Sequence, residues 1–267
     1  MKLITAIAAL VLSAGCLYGE DRPAVVSKGE IEQIVREYIL RHPEVLMESV
    51  RAYQERERIA AQQRSREAVV AKRRELFEDT ASPAAGKAGI RIVQFFDYNC
   101  GYCRRVSPTI AKLLEERPDV QVIFKELPIL GPESHLAARG ALAARKQGGY
   151  LEFHRALMDL KSPANAAAIQ ETAGKLRLDI SRLKADMESP EVQAMLAENQ
   201  RLAGAIGVRS TPSFVIGSEL VSGAMDLPGF QALIAKARKE AAAAAAAPKA
   251  AAPLAANDGQ SSSRASR

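Results

Sequence analysis

Apolar residues recur along the chain in two rhythms, and each predicts a kind of element. Residues 24–79 carry the helical rhythm. Ser27 followed by Glu30 forms a capping-box pattern, and Ile31, Ile34, Val35, Tyr38 and Ile39 follow at helical spacing. The His42-Pro43 step breaks the run. Pro43 suits the first position of a second helix, with Leu46, Val50 and Tyr53 as its stripe. From 51 to 79 the chain is rich in Arg, Glu, Gln and Ala, with few apolar residues. That part is read either as a solvated helix or as one whose stripe is covered by a partner chain. Residues 80–89, containing "ASPAAGKAG", read as a linker.

The core domain is expected at 90–240. "IRIVQFFDY" is a near-continuous apolar run, as a buried strand requires. A helix is predicted from about residue 100 to 116, kinked at Pro108. "VQVIFKEL" at 120–127 gives a second strand. Residues 134–202 are Ala-rich and helical, broken near "QGG" and "KSPAN". "SFVIG" and "ELVSG" predict a hairpin around Gly217-Ser218. A last helix runs from about 228 to 241. Residues 241–267 are Ala/Pro/Ser-rich and read as a disordered tail, although the alanines can extend the last helix. The alternation of strands and helices makes the core α/β.

Composition narrows the function classes. The chain has 267 residues, 48% of them apolar, enough for a sizeable core. The net charge is +6, but the basic residues form no block interleaved with aromatics, so no nucleic-acid partner is expected. Residues 1–15 read as an export signal: Lys2, a short apolar core at 3–12, then Ser13, Ala14 and Gly15. That core is too short to span a bilayer. Cys16 in "SAGC" leaves two outcomes open, because the motif loosely resembles a lipobox but Ser13 departs from it. The mature chain is either soluble or lipid-anchored through Cys16. Either way the expected location is the periplasm or another extracytoplasmic space.

Export allows disulfides, yet only Cys100 and Cys103 remain for the mature domain. They stand where a strand gives way to a helix. A cysteine at a helix N-terminus has its thiolate stabilised by free backbone N–H groups and the helix dipole. Cys100 is therefore the expected nucleophile and Cys103, one turn inward, the resolving thiol. A zinc site needs more ligands, and His42, His135 and His154 show no clustered spacing. A purely structural bridge would close too short a loop to stabilise much. Neither metal nor cofactor is expected. Arg104 either faces the thiolate or is solvated. Asp97 and Tyr98 end the strand and are expected to shape the approach to the site. His154, on an apolar helical face, is expected to be packed in preference to catalytic.

"FFDYNCGYC", "FKELPILGPES" and "GVRSTPSFVIG" occur in that order and together resemble the DsbA-type periplasmic disulfide oxidoreductases. The branch they look most like is the suppressor-of-copper-sensitivity C proteins, which carry an N-terminal helical extension. The resemblance spans most of residues 28–240. It implies a thioredoxin fold with a helical insertion at 134–202, preceded by the helical extension. It also implies that Pro212 is a cis-proline facing the cysteines, and that Gly101, Tyr102, Thr211 and Pro212 contact substrate. Gln94 departs from the related pattern, which often has an acidic residue beneath the site. Lys125 and Glu126 either substitute for it or form a partly exposed ion pair.

The implied activity is thiol–disulfide exchange on exported, cysteine-bearing proteins, with a membrane redox partner resetting the dithiol. Gly101-Tyr102 and Thr211 are similar to disulfide isomerases, so an isomerase or dual-function enzyme is expected over a dedicated oxidase. Residues 24–79 are expected to join identical chains into a homo-oligomer. The alternative is a copper-handling or scaffold protein that uses the dithiol as a soft metal ligand.

Overall fold

The computed structural model describes residues 26–87 and 89–246. The export signal and Cys16 lie outside those residues, as does the tail from 247 onward. The chain divides into two compact units between Arg58 and Ile59.

The first unit holds α1 (Lys28–Arg41) and the opening of α2 (Pro43–Ala71). Ser27 caps α1: its hydroxyl accepts from the Glu30 amide, and the Glu30 carboxylate accepts from the Ser27 amide. The break falls at His42, and Pro43 opens α2, where its missing N–H costs nothing. Ile31, Ile34, Val35, Tyr38, Leu46, Val50 and Tyr53 are all exposed.

The second unit is built on a sheet of order β1-β3-β2-β4-β5. Its strands are β1 (Ala84–Gly86), β2 (Ile90–Phe96), β3 (Val120–Glu126), β4 (Ser213–Ile216) and β5 (Glu219–Ser222). β2 and β3 run parallel, joined through α4 (Gly101–Glu116); β4 is antiparallel to β2 and to β5. Side chains alternate between the two faces of each strand. Ile92 and Phe96 enter one apolar cluster; Val93 and Phe95 enter the other.

The larger cluster is covered by α4 and by the helices of the insertion: α5 (Pro132–Arg145), α6 (Tyr150–Met158), α7 (Ala166–Lys175), α8 (Ile180–Met187) and the start of α9 (Pro190–Ile206). Ala137, Ala138, Ala141, Ala143 and Ala144 of α5 are all buried there. Small side chains let these helices approach closely, which explains the alanine content of the segment. The last helix, α10 (Leu227–Ala246), adds Phe230, Ile234 and Ala237. It runs past residue 241, so 241–246 continue the helix, as their alanines allowed.

The other face corrects the reading of residues 60–86, whereas 51–59 are exposed. Val69 at the end of α2, and Leu76 and Phe77 of α3 (Arg73–Phe77), are buried against Val93, Phe95, Ile123 and Val215. The last turns of α2 are thus not waiting for another chain: Val69 packs on the sheet of its own unit while most of the helix surface stays exposed. Ser65 donates to the Ile206 carbonyl at 2.8 Å, and Arg66 pairs with Glu219. Sparse apolar residues hid this role, because a charged helix needs only a narrow stripe to close one face.

Residues 84–86 are strand and not linker. β1 pairs antiparallel with β3, Ala84 opposite Ile123 and Gly86 opposite Gln121. Gly86 has φ +89°, and a Cβ there would lie 2.3 Å from the Val120 carbonyl oxygen. Glycine is required by this close approach, so a residue that reads as a loop marker serves an edge strand.

This placement predicts two different outcomes for truncation. Removing residues 1–58 leaves the melting temperature of the second unit unchanged. Removing residues 1–79 exposes Val93, Phe95 and Ile123 and prevents cooperative unfolding. Leu76→Ala in the full chain costs roughly 2–5 kcal/mol, measured by urea denaturation. A neutral Leu76→Ala would contradict the packing.

Candidate active site

The sheet brings the sequence motifs to one end. β2 finishes at Phe96, and Asp97 to Asn99 turn the chain into α4. The Cys100 amide donates to the Asp97 carbonyl at 3.1 Å, closing the turn. Cys100 is the N-cap of α4, with extended backbone (φ −80°, ψ 114°), and Cys103 lies in the first turn. The register sets Ser213 opposite Phe95. Thr211 and Pro212 therefore arrive where β2 ends, and their peptide bond is cis, as the resemblance implied. The Cys100 Sγ lies 3.2 Å from the Thr211 carbonyl oxygen.

Both cysteines are free thiols, and both are buried. Their electrostatics differ. The Cys100 thiol is lowered to about 5, first by a hydrogen bond from the Cys103 side chain. Burial opposes the shift, while the backbone N–H groups of Cys103 and Tyr102 and the Thr211 side chain add to it. The free N–H groups of a helix start are the physical source of the backbone part. Cys103 moves the other way: burial, then the charge and hydrogen bond of Cys100, push its thiol far up. One sulfur is a thiolate at neutral pH and its neighbour holds a proton.

Tyr102 is 60% exposed, with the Arg105 guanidinium 4.0 Å from its ring centroid. Gly101 is exposed as well, and a Cβ there would meet only Arg105 Nη1 at 3.6 Å. Room does not demand glycine at this position.

The remaining candidates separate. Gln94 shares the sheet face of Ile92 and Phe96, is 2% exposed, and its Oε1 has no hydrogen-bond partner among the described residues. Lys125 and Glu126 do not pair with each other, because adjacent strand residues point to opposite faces. Lys125 is 1% exposed and donates to Asp79 Oδ2 at 2.7 Å, on the face away from the cysteines. Burial works against the Asp79 charge, but hydrogen bonds from Lys125 and Ser82 hold its carboxyl below the usual range. Glu126 lies on the cysteine face and accepts from the Tyr150 hydroxyl. Burial raises its carboxyl to about 7. Arg104 neither faces the thiolate nor is free in solvent. It donates to the carbonyls of Tyr98 (2.7 Å), Leu160 (3.0 Å) and Ser162 (2.8 Å), tying the cysteine turn to the insertion.

Asp97 does more than end a strand. Its carboxylate accepts from the Asn99 amide (2.8 Å) and from the amides of Ile129 (2.8 Å) and Leu130 (3.1 Å). His154 is packed, as its apolar surroundings suggested. It sits among Phe96, Tyr98, Phe124 and Tyr150, with Nδ1 3.1 Å from the Tyr98 hydroxyl. Burial lowers its pKa to about 3, so the ring is neutral. No sequence signal tied Asp97 to residues 129–130, since the link runs through backbone amides. Among the described residues no group of three or more His, Cys, Asp or Glu side chains is placed to hold a metal ion.

Residues 91–235 match the model of the DSBA-like thioredoxin domain. The chain belongs to that family. Residues 28–60 match a second model, the copper resistance protein ScsC N-terminal domain. A thioredoxin-like oxidoreductase from Silicibacter pomeroyi DSS-3 is 42% identical, with a TM-score of 0.61; the match covers 62% of this chain and 98% of that one. A periplasmic thioredoxin-like protein from Salmonella enterica serovar Typhimurium is 32% identical with a TM-score of 0.57, covering 62% and 94%. Among curated sequences, the Na(+)/H(+) antiporter NhaA 3 of Salinispora tropica is 25% identical over 153 residues, which are 57% of this chain and 24% of the antiporter. The chain thus spans about a quarter of that relative's length. Among the described residues no helix is long and apolar enough to cross a membrane.

Two measurements follow from the ionisation of the site. Iodoacetamide should label Cys100 of the reduced protein with a midpoint near pH 5 and leave Cys103 unlabelled until unfolding; a midpoint near the ordinary thiol value of ~8.5 would remove the basis of the assignment. The second concerns Glu126, whose folded value of about 7 lies above the ~4.3 of an unfolded chain. Its proton-linked stability is fully present below the unfolded value and is lost as pH rises through the folded one. Glu126→Gln removes that loss. The variant's melting temperature, relative to wild type, therefore rises across that window and levels off above it. Parallel curves would show that Glu126 titrates normally.

Proposed function

We propose that the chain catalyses thiol–disulfide exchange on exported, cysteine-bearing proteins, as an isomerase or dual-function enzyme. The observation that carries this reading is the unequal pair: a Cys100 thiolate at the start of α4 beside a protonated Cys103. The Cys100 thiolate attacks one sulfur of a substrate disulfide. The new mixed disulfide forms as the old bond breaks, and the departing substrate sulfur leaves as a thiolate that takes up a proton. In isomerisation another substrate thiolate then attacks the mixed disulfide, creating a new substrate bond and returning Cys100, with no net redox change. In the reductive branch Cys103 gives up its proton and attacks Cys100 Sγ. The substrate gains two electrons and the dithiol becomes a disulfide. Substrate oxidation is the reverse path, and a membrane redox partner resets the pair.

A stabilised thiolate favours the reduced form of the pair and so makes its disulfide oxidising. The lean to isomerisation rests on Gly101-Tyr102, on Thr211, and on the exposed apolar stripe of the first unit. Exposed stripes of this kind mark partner contact. Joined through residues 26–58, identical chains would hold several sites around one substrate. An extracytoplasmic location follows from the export signal read at residues 1–15. A second reading, Cu(I) binding by two soft sulfurs, is favoured by the description of the family model matched at residues 28–60.

Cys103→Ala should accumulate mixed disulfides with exported proteins, seen on non-reducing gels. The wild type should refold scrambled ribonuclease. Removing residues 1–58 should give a monomer by light scattering that still exchanges with dithiothreitol but loses most of the refolding activity. A full chain that is monomeric at micromolar concentration removes the oligomer. Tight Cu(I) binding without exchange would favour the second reading.

A further inference from the structure

Two arginines follow Cys103 on α4, and they are used differently. Arg104 spends its guanidinium on the carbonyls of Tyr98, Leu160 and Ser162. Arg105 is exposed, and its side chain has no hydrogen-bond or ion-pair partner among the described residues. Helical spacing of three and four residues sets it beside Tyr102 and Gly101. Its guanidinium carbon lies 4.0 Å from the Tyr102 ring centroid, within the range of a cation–π contact. A Cβ on Gly101 would lie 3.6 Å from its Nη1. A long side chain is thereby laid back toward the helix start and held against the two residues that separate Cys100 from Cys103.

This positive charge is not consumed by the site. Cys100 is held as a thiolate by Cys103, Tyr102 and Thr211. Asp97 and Glu126 are buried; Asp97 accepts from the amides of Asn99, Ile129 and Leu130, and Glu126 from the Tyr150 hydroxyl. On the other flank of Cys100, Arg209 stands two residues before Thr211, whose carbonyl oxygen is 3.2 Å from the sulfur. The Arg209 side chain is exposed as well, with no hydrogen bond or ion pair among the described residues. Both segments that hold the thiolate therefore carry an arginine whose charge is unspent.

We propose that Arg105, assisted by Arg209, selects disulfides that carry a carboxylate close to the attacked sulfur, whether on an acidic residue of a polypeptide or on a small disulfide. The inference rests on the exchange activity proposed above and names the charge of its substrates. An acidic neighbour is a handicap in ordinary exchange. It repels the approaching Cys100 thiolate, and it raises the pKa of the departing sulfur, which slows its release. A guanidinium beside the attacking sulfur offsets both effects and can bind the carboxylate through two parallel N–H donors. Stacking on Tyr102 holds the planar fork in place before substrate arrives, so less side-chain entropy is lost on binding. Arg105 itself exchanges no proton or electron. The bonds made and broken are those of the exchange already described.

The test uses the full-length protein and two disulfide-bearing peptides that differ only in Glu or Gln beside the cysteine. Wild type should prefer the Glu peptide by about three- to fivefold in kcat/KM at low salt, the range of an exposed ion pair. The preference should fade as salt is raised to about 0.5 M. Arg105→Gln should lose most of it, and Arg105→Gln with Arg209→Gln all of it. Lys112→Gln, further along α4, should keep it. A second arm compares glutathione disulfide with its ethyl ester. An Arg105-dependent preference for the acid in the peptide arm alone assigns the selection to polypeptides, in the glutathione arm alone to small disulfides, and in both to the shared carboxylate. Equal rates within both pairs for wild type, or an undiminished preference in the double variant, overturn the selection while leaving the exchange activity standing. No exchange with any of these disulfides or with dithiothreitol overturns both.

Discussion

The negative charge on Cys100 is the point on which the site turns. A thiolate needs donors, and this one draws them from the Cys103 side chain, two backbone amides and Thr211. Each donor comes from a different structural decision. The helix start supplies free N–H groups because its first turn has no intrahelical acceptors. Cys103 supplies its proton because burial keeps it neutral. Thr211 is delivered by the pairing of β4 with β2. If any of the three elements shifted, the sulfur would lose partners and revert toward an ordinary thiol.

The two faces of the sheet divide the work around that charge. The cysteine face carries the insertion and a buried polar group of Glu126, Tyr150, Tyr98 and His154. The opposite face is closed by the end of α2 and by α3, and holds the Lys125–Asp79 pair. A lysine buried this deeply needs a counter-ion, and Asp79 arrives only because α3 packs on that face. Arg104 and Asp97 act across elements in the same way. Both spend their charge on backbone groups and lock the cysteine turn to the insertion and to the loop after β3. Rigid support of this kind is what a small reactive site requires.

Much of the fold was legible because its signals are local. The strand of residues 90–96, the helix after Cys100 and the hairpin at Gly217-Ser218 follow from runs, caps and turns that lie within a few residues. The capping box at Ser27 and the break at His42 belong to the same kind. The misreadings share one cause. Residues 59–79 look solvated, and 84–86 look like a linker, because their partners are distant in sequence. Val69, Leu76 and Phe77 acquire meaning only beside Val93 and Ile123. Gly86 is a strand residue only because the Val120 carbonyl is close.

The sequence by itself determined the chemistry: two cysteines at the start of a helix and a Thr-Pro step downstream. Those are short-range facts of spacing and backbone geometry. The tertiary structure decided the environment. It lowered one thiol and raised the other, separated Lys125 from Glu126 by the two-residue alternation of a strand, and turned Arg104 onto carbonyls. It also tied the amides of Ile129 and Leu130 to Asp97 in the cysteine turn. Burial, charge and contact depend on which distant segments share a face, and no local pattern encodes that.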